Sequence, residues 1–201
     1  MTRRTTSTSG RDGTIGLGSR VHSCSAVVVA VTGPAASPAV LHREHVTLLD
    51  DVSLQEPYHV AATSPRDEAP ALIASVAEAA TTVAEATLRG FVATLGPVAA
   101  VGVVGGDRRL PELSRILTKH ALLHAAERDL YERAVVQGAT RAGLPVTAIP
   151  ATGRLFDAAS AALGVTLDAV LAAVGKTVGP PWKKEHREAA AAALVALHSL
   201  E

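Results

Sequence analysis

Two stretches of this chain are apolar at almost every position. The runs from Ser25 to Gly33 and from Val98 to Gly105 are short, rich in β-branched residues and end in glycine, the pattern of strands buried on both faces of a sheet. Between them, residues 39–49 mix polar and apolar positions and predict two further short extended pieces, an antiparallel meander. Residues 50–65 hold Asp50, Asp51, Pro57 and Pro65 without a sustained period. They predict a loop carrying Tyr58 and His59. From Pro65 to Leu95 the pattern is Ala-rich, and Glu78 and Glu85, seven apart, mark the solvent stripe of a long helix with Pro65 in its first turn. Residues 111–142 predict a second long helix closed by Gly143, with a short strand at 145–149. Two smaller helices follow, near 153–163 and 166–173, the latter with Thr166 as N-cap and Asp168 in its first turn. Gly179, Pro180, Pro181 and Trp182 break the chain before a last helix at 183–199. Residues 1–22, rich in Thr, Ser, Arg and Gly, predict a disordered basic tail. One domain, 23–201, remains. Its element order is βββαβαβα, which gives an α/β fold with a five-stranded mixed sheet and helices on both faces.

Composition narrows the function classes. Of 201 residues, 48% are hydrophobic but only 2% aromatic, so the core is built from Ala, Val and Leu with close helix contacts. Lys plus Arg equals Asp plus Glu at 19 each, so a nucleic-acid role must rest on a local patch. Arg3, Arg4, Arg11 and Arg20 against Asp12 make the tail basic and leave the body slightly acidic. Apolar runs such as Ala189 to Leu197 fall short of the roughly 20 residues that cross a bilayer, so no membrane span is expected. The start of the chain has no secretory apolar segment. The lone Cys24, free of any metal or redox spacing, predicts a reducing cytoplasm and a small hydrophobe at a strand mouth. Neutral charge balance and small-residue helices predict a homo-oligomer. No acyl-transfer or dinucleotide motif is present.

The most informative polar positions lie in the helix at 111–142. On a helical wheel started at Leu113, His120, His124 and Glu127 fall inside an apolar arc of about 140°, with Tyr131 at its centre. Three readings are open. The trio forms a satisfied polar network closed by Tyr131; it lines a cleft or a dimer seam; or it binds a transition metal, with His120 and His124 as ligands and Glu127 as third ligand or base. Outside ligands for the last would be His59, Glu44 and Asp107. At the start of the final helix, Lys183, Lys184 and Arg187 beside Trp182 form a small basic, aromatic patch, with Trp182 equally readable as a packing cap after Pro180 and Pro181. Gly105 to Arg109 links a strand to a helix, and reads as a plain turn before an anion site.

The order βββαβαβα, together with Glu185-His186-Arg187-Glu188-Ala189 at the start of the last helix, resembles the ribonuclease H-like superfamily and, within it, the RuvC-type Holliday-junction resolvases. The resemblance implies a nucleic-acid partner and two Mg²⁺ ions held by carboxylates on the first strand, the fourth strand and the last helix. The last helix matches through Glu185 and Glu188. At the end of the strand read as first stand Val31, Thr32 and Gly33, and at the end of the fourth Val103, Val104 and Gly105, with Asp107 as a displaced substitute. The resemblance therefore implies the fold without the standard metal site, and a protein that binds nucleic acid and does not cut it. A metal-dependent hydrolase centred on His120, His124 and Glu127, and a non-catalytic oligomeric interaction protein, are the alternatives.

Overall fold

The strand at the centre of the sheet is one whose sequence conceals it. In a computed structural model describing residues 13–106, 108–151 and 155–200, β1 (Ile15–His22) lies between β2 (Ser25–Thr32) and β4 (Val98–Val104). With β3 (Ala39–Thr47) and β5 (Val146–Ile149), the sheet has the order β3-β2-β1-β4-β5. The first three strands form an antiparallel meander, and β1, β4 and β5 run parallel. The fold is thus a five-stranded mixed α/β sheet with helices on both sides, as the chain pattern predicts.

Two layers cover the sheet. On one face lie α2 (Ala69–Leu95) and α4 (His120–Arg141), whose Val76, Leu88, Leu130 and Val135 join Leu17, Val28 and Val103 in the main core. On the other lie α5 (Leu155–Leu163), α6 (Leu167–Val178) and α7 (Lys184–His198), packed on Val27, Val29 and Val31. Alanines 189–193 of α7 are fully buried. Their approach to the sheet is so close that a Cβ on Gly18 would lie 1.7 Å from the Ala189 carbonyl oxygen, and one on Gly102 2.1 Å from that of Ala192. Small residues on both partners replace the bulky anchors the composition lacks, and the dense contact supplies dispersion that large side chains would otherwise give. This contact sets the start of α7 against the end of β1.

Several expectations are corrected. The tail predicted at 1–22 contains β1 from Ile15 onward, while residues 1–12 lie outside the described residues. The segment read as first strand is β2, so the two valine-rich strands are not neighbours: β1 lies between them. Residues 39–47 form one strand, not two. The loop expected at 50–65 contains α1 (Pro57–Thr63), which carries Tyr58 and His59, and α2 begins at Ala69, with Pro70 in its first turn in place of Pro65. The helix expected at 111–142 breaks after the short α3 (Leu113–Ile116) and restarts at His120. Gly153, the expected start of α5, lies outside the described residues. At α6, Thr166 makes no side-chain cap; Ser160 Oγ instead accepts from the Leu167 N–H at 3.0 Å. By length and mean hydropathy α2 would suffice to cross a bilayer, contrary to the expectation that no segment would. Its stripe from Val76 to Phe91 is buried against the core, however, and its outer Glu78 pairs with Arg141 of α4 at 2.6 Å.

Candidate functional site

Parallel strands end together, and the shared end of β1 and β4 gathers a cluster of charged side chains that includes the fully buried Glu132. Arg20 pairs in register with Val104 at that end. Alternation along β1 sends Gly16, Gly18, Arg20 and His22 toward the α7 layer. There the Arg20 Nε–H donates to Glu188 Oε2 at 2.8 Å, and Lys184 Nζ lies 3.7 Å from the other oxygen of Glu188. From the opposite layer Glu132 of α4 reaches round the end of β4. It accepts from the Gly106 N–H at 2.9 Å and from Arg108 Nε at 3.5 Å, and its other oxygen lies 3.8 Å from Arg20 Nη1. A Cβ on Gly105 would lie 2.1 Å from the Glu132 carboxyl carbon, so this glycine makes the space the carboxylate fills.

Arg20 therefore bridges two carboxylates brought from two layers. Glu132 is 0% exposed, and burial pushes its carboxyl above the ordinary range, against the pull of Gly106, Arg108 and Arg20. His22, two residues on, has Nε2 buried without a hydrogen-bond partner among the described residues. Burial, reinforced by the Arg20 charge, holds its imidazole below the usual range. Glu185 faces His22 from the first turn of α7, and its carboxyl is lowered chiefly by its own backbone N–H. A cleft of about 170 Å³ lined by Arg20, Val104, Leu155, Phe156, Lys184 and Glu188 opens beside the cluster.

The residues expected to matter are distributed unevenly around this centre. Glu188 is at it and Glu185 beside it; Asp107 lies outside the described residues. Lys183 and Lys184 are exposed at the start of α7. Arg187 is engaged, donating to Asp168 at 2.7 Å and lying over the Phe156 ring at 5.8 Å. Trp182 is a packing plug, its indole N–H donating to the Leu171 carbonyl at 2.8 Å. The Gly106 N–H, offered by sequence as an anion donor, is taken by Glu132. Arg20 and Glu132 are not among the residues the sequence points to. Arg20 falls in the stretch that reads as a tail, and Glu132 has one signal only, the paired glycines at 105 and 106 that leave room for a carboxylate.

The second polar centre lies between α1 and α4. The rings of His59, His120 and His124 approach one another with centroids 4.5–5.3 Å apart. Glu127, 4% exposed, stands behind them. It accepts from the His59 backbone N–H at 3.2 Å and from His59 Nδ1 at 2.8 Å, and lies 3.6 Å from His124 Nδ1. Tyr131 is buried but donates to the Gln55 carbonyl at 2.9 Å, so it does not close the network as expected. Tyr58 packs in the small cluster of Ile116, Leu123 and Ala126. Of the trio expected on a buried face, Glu127 is buried, whereas His120 and His124 are exposed. The other members of the arc on α4, Leu123, Leu130, Tyr131, Ala134 and Val135, are buried with Glu127, so the wheel holds along the body of the helix and fails only at the two histidines near its start. Glu44, another expected outside ligand, bonds His42 at 3.0 Å on β3 and is not part of this group.

The chain matches no protein-family model and no curated protein sequence. Its fold does match solved structures. Over 93% of this chain and 94% of the other, it superposes on Thermus thermophilus RuvC in complex with a Holliday-junction substrate, at a TM-score of 0.54 and 18% identity. A second Thermus thermophilus RuvC structure gives a TM-score of 0.53 at 18% identity, over 92% and 94%. The meander, the parallel strands, the covering helices and the extent of these superpositions together make this a ribonuclease H-like fold of the RuvC type.

Proposed function

We propose that this protein binds nucleic acid at the shared end of β1 and β4, branched DNA above other forms, and does not cut it by the two-metal route. The binding half rests on the fold shared with a resolvase solved on a Holliday junction, and on exposed Lys183 and Lys184 beside the cleft. The non-cutting half rests on one observation, the guanidinium of Arg20 donating to Glu188 at 2.8 Å. In ribonuclease H-like nucleases the corresponding strand end and helix supply carboxylates to metal ions. Here a fixed positive charge stands among the carboxylates, engages one of them and lies 3.8 Å from the other. A divalent pair would have to displace it and overcome its repulsion, so the residues present do not suit such a pair.

Labelled four-way junction, duplex and single-stranded DNA and RNA, titrated with the full chain at several salt concentrations and then incubated with Mg²⁺ or Mn²⁺, test both halves. Junction binding that weakens with salt, without cleavage, is the expected result. Replacing Lys183 and Lys184 with alanine lowers the log–log salt slope by roughly one to two. Cleavage abolished by Glu188→Ala would overturn the non-cutting half, and failure to bind any of the probes would overturn the other.

A further inference from the structure

Away from the sheet end, we infer that His59, His120 and His124 form a binding site for a Zn²⁺-class divalent transition metal that fastens α1 to α4, with Glu127 as the residue that orients His59. This does not rest on the nucleic-acid reading.

One ligand nitrogen from each of the three imidazoles lies within 4.8 Å of the other two. Small side-chain rotations bring such a set to the roughly 2.0–2.1 Å Zn–N distance. His120 and His124 are one turn apart on α4 and present their rings side by side, while His59 comes from α1 across the seam. The orientation of His59 is fixed. A carboxylate only accepts, so the bond from Glu127 Oε1 to His59 Nδ1 at 2.8 Å places the proton on Nδ1 and leaves Nε2 with its lone pair for a metal. That is the carboxylate–histidine arrangement that holds metal-bound imidazoles in place. Glu127 is held in turn by the His59 backbone N–H at 3.2 Å. Glu127 is thus a positioning residue and not a third ligand. Three imidazoles suit zinc, copper or nickel over magnesium or calcium. The exposure of His120 and His124 leaves a fourth coordination position to solvent.

The test is calorimetric titration of EDTA-treated full-length protein with Zn²⁺, read beside thermal melts. The expected result is one equivalent of tightly bound zinc and a Tm raised by about 5 °C or more at a hundredfold excess over Kd. His124→Ala and His120→Ala, both at exposed positions, lose that binding by at least about 100-fold with folding unchanged by circular dichroism. Glu127→Gln keeps the stoichiometry but weakens affinity by roughly 10- to 100-fold, and His186→Ala, a histidine outside the trio, changes nothing. Zinc bound no more tightly by the wild type than by His120→Ala and His124→Ala, or an unaltered Tm, would overturn the proposal. Junction binding is measured on the same variants: it stays at the wild-type level, so failure of the metal site and failure of the nucleic-acid reading are read separately.

Discussion

The end of the sheet and the seam between α1 and α4 both gather titratable side chains, and they handle them in opposite ways. At the sheet end Arg20, Glu132 and Glu188 are shut in against opposite charges, with Arg20 Nη1 and Glu132 Oε1, 3.8 Å apart, making no hydrogen bond among the described residues. Arg20 is 14% exposed and Glu188 12%, and Glu132 is sealed completely. At the seam the imidazoles are half-buried or open, and the single carboxylate stands behind one of them. Both carboxylates cut off from water, Glu132 and Glu127, are hydrogen-bonded within the protein, as the desolvation cost requires; the difference lies in what they face, guanidinium groups at the sheet end and imidazoles at the seam. A site in which a guanidinium already stands among the carboxylates repels an incoming cation, whereas one that turns imidazoles toward solvent leaves their nitrogens accessible.

The comparison breaks most severely at Arg20. Arg20→Ala removes the donor to Glu188 and one of the two guanidinium groups facing the buried Glu132, and is expected to lower stability by roughly 3–5 kcal/mol, measured by urea unfolding; an unchanged midpoint would mean the carboxylates do not depend on it. Gly18→Ala attacks the same end indirectly. Its methyl meets the Ala189 backbone and drives α7 from the sheet, at about 3 kcal/mol by the usual cost of overpacking, and a Tm within a degree or two of wild type would show that the helix can shift freely. Tyr131→Phe probes the α4 side, removing the donor to Gln55 for about 1 kcal/mol, read by the same unfolding curves. The subtlest effect is in pH. Because the Glu132 carboxyl titrates above its ordinary value of 4.5 in the folded protein, the native state keeps a proton that the unfolded chain has already released. Stability contributed by this group therefore falls as pH rises from 4.5 through the folded value. Glu132→Gln flattens that part of the stability–pH profile, and an identical slope in variant and wild type would place the titration elsewhere.

Much of this architecture could be read along the chain, and the parts that could not are instructive. β2 and β4 announce themselves because burial on both faces selects valine at successive positions. β1 is buried just as deeply, yet Gly16, Gly18, Ser19 and Arg20 look like a polar tail. Its Gly16 and Gly18 answer to Leu197, Ala193 and Ala189 of α7, which lie far along the sequence. With β1 hidden, the sequence points to the end of β2 for a first-strand carboxylate. β2 runs antiparallel to β1, so Val31 and Thr32 lie opposite Gly16, at the far end of the sheet from Arg20 and Val104. The imidazole pair on α4 was legible from its four-residue spacing, and His59 stood among the expected outside ligands. That Glu127 accepts from a histidine is one of the readings the sequence leaves open; that the histidine is His59 of α1 is not legible, since helix periodicity says nothing about a residue on another element.

By itself, then, the sequence determined the strand-and-helix order, the small-residue core and the i, i+4 histidines, because these depend on periodicity and volume within a few turns of chain. The tertiary structure alone decided that an arginine would stand between carboxylates from two layers, and that a short helix would bring a third imidazole to the other two. Both depend on residues that become neighbours only when strands align in parallel and helices close over them, and local pattern carries no record of that distance.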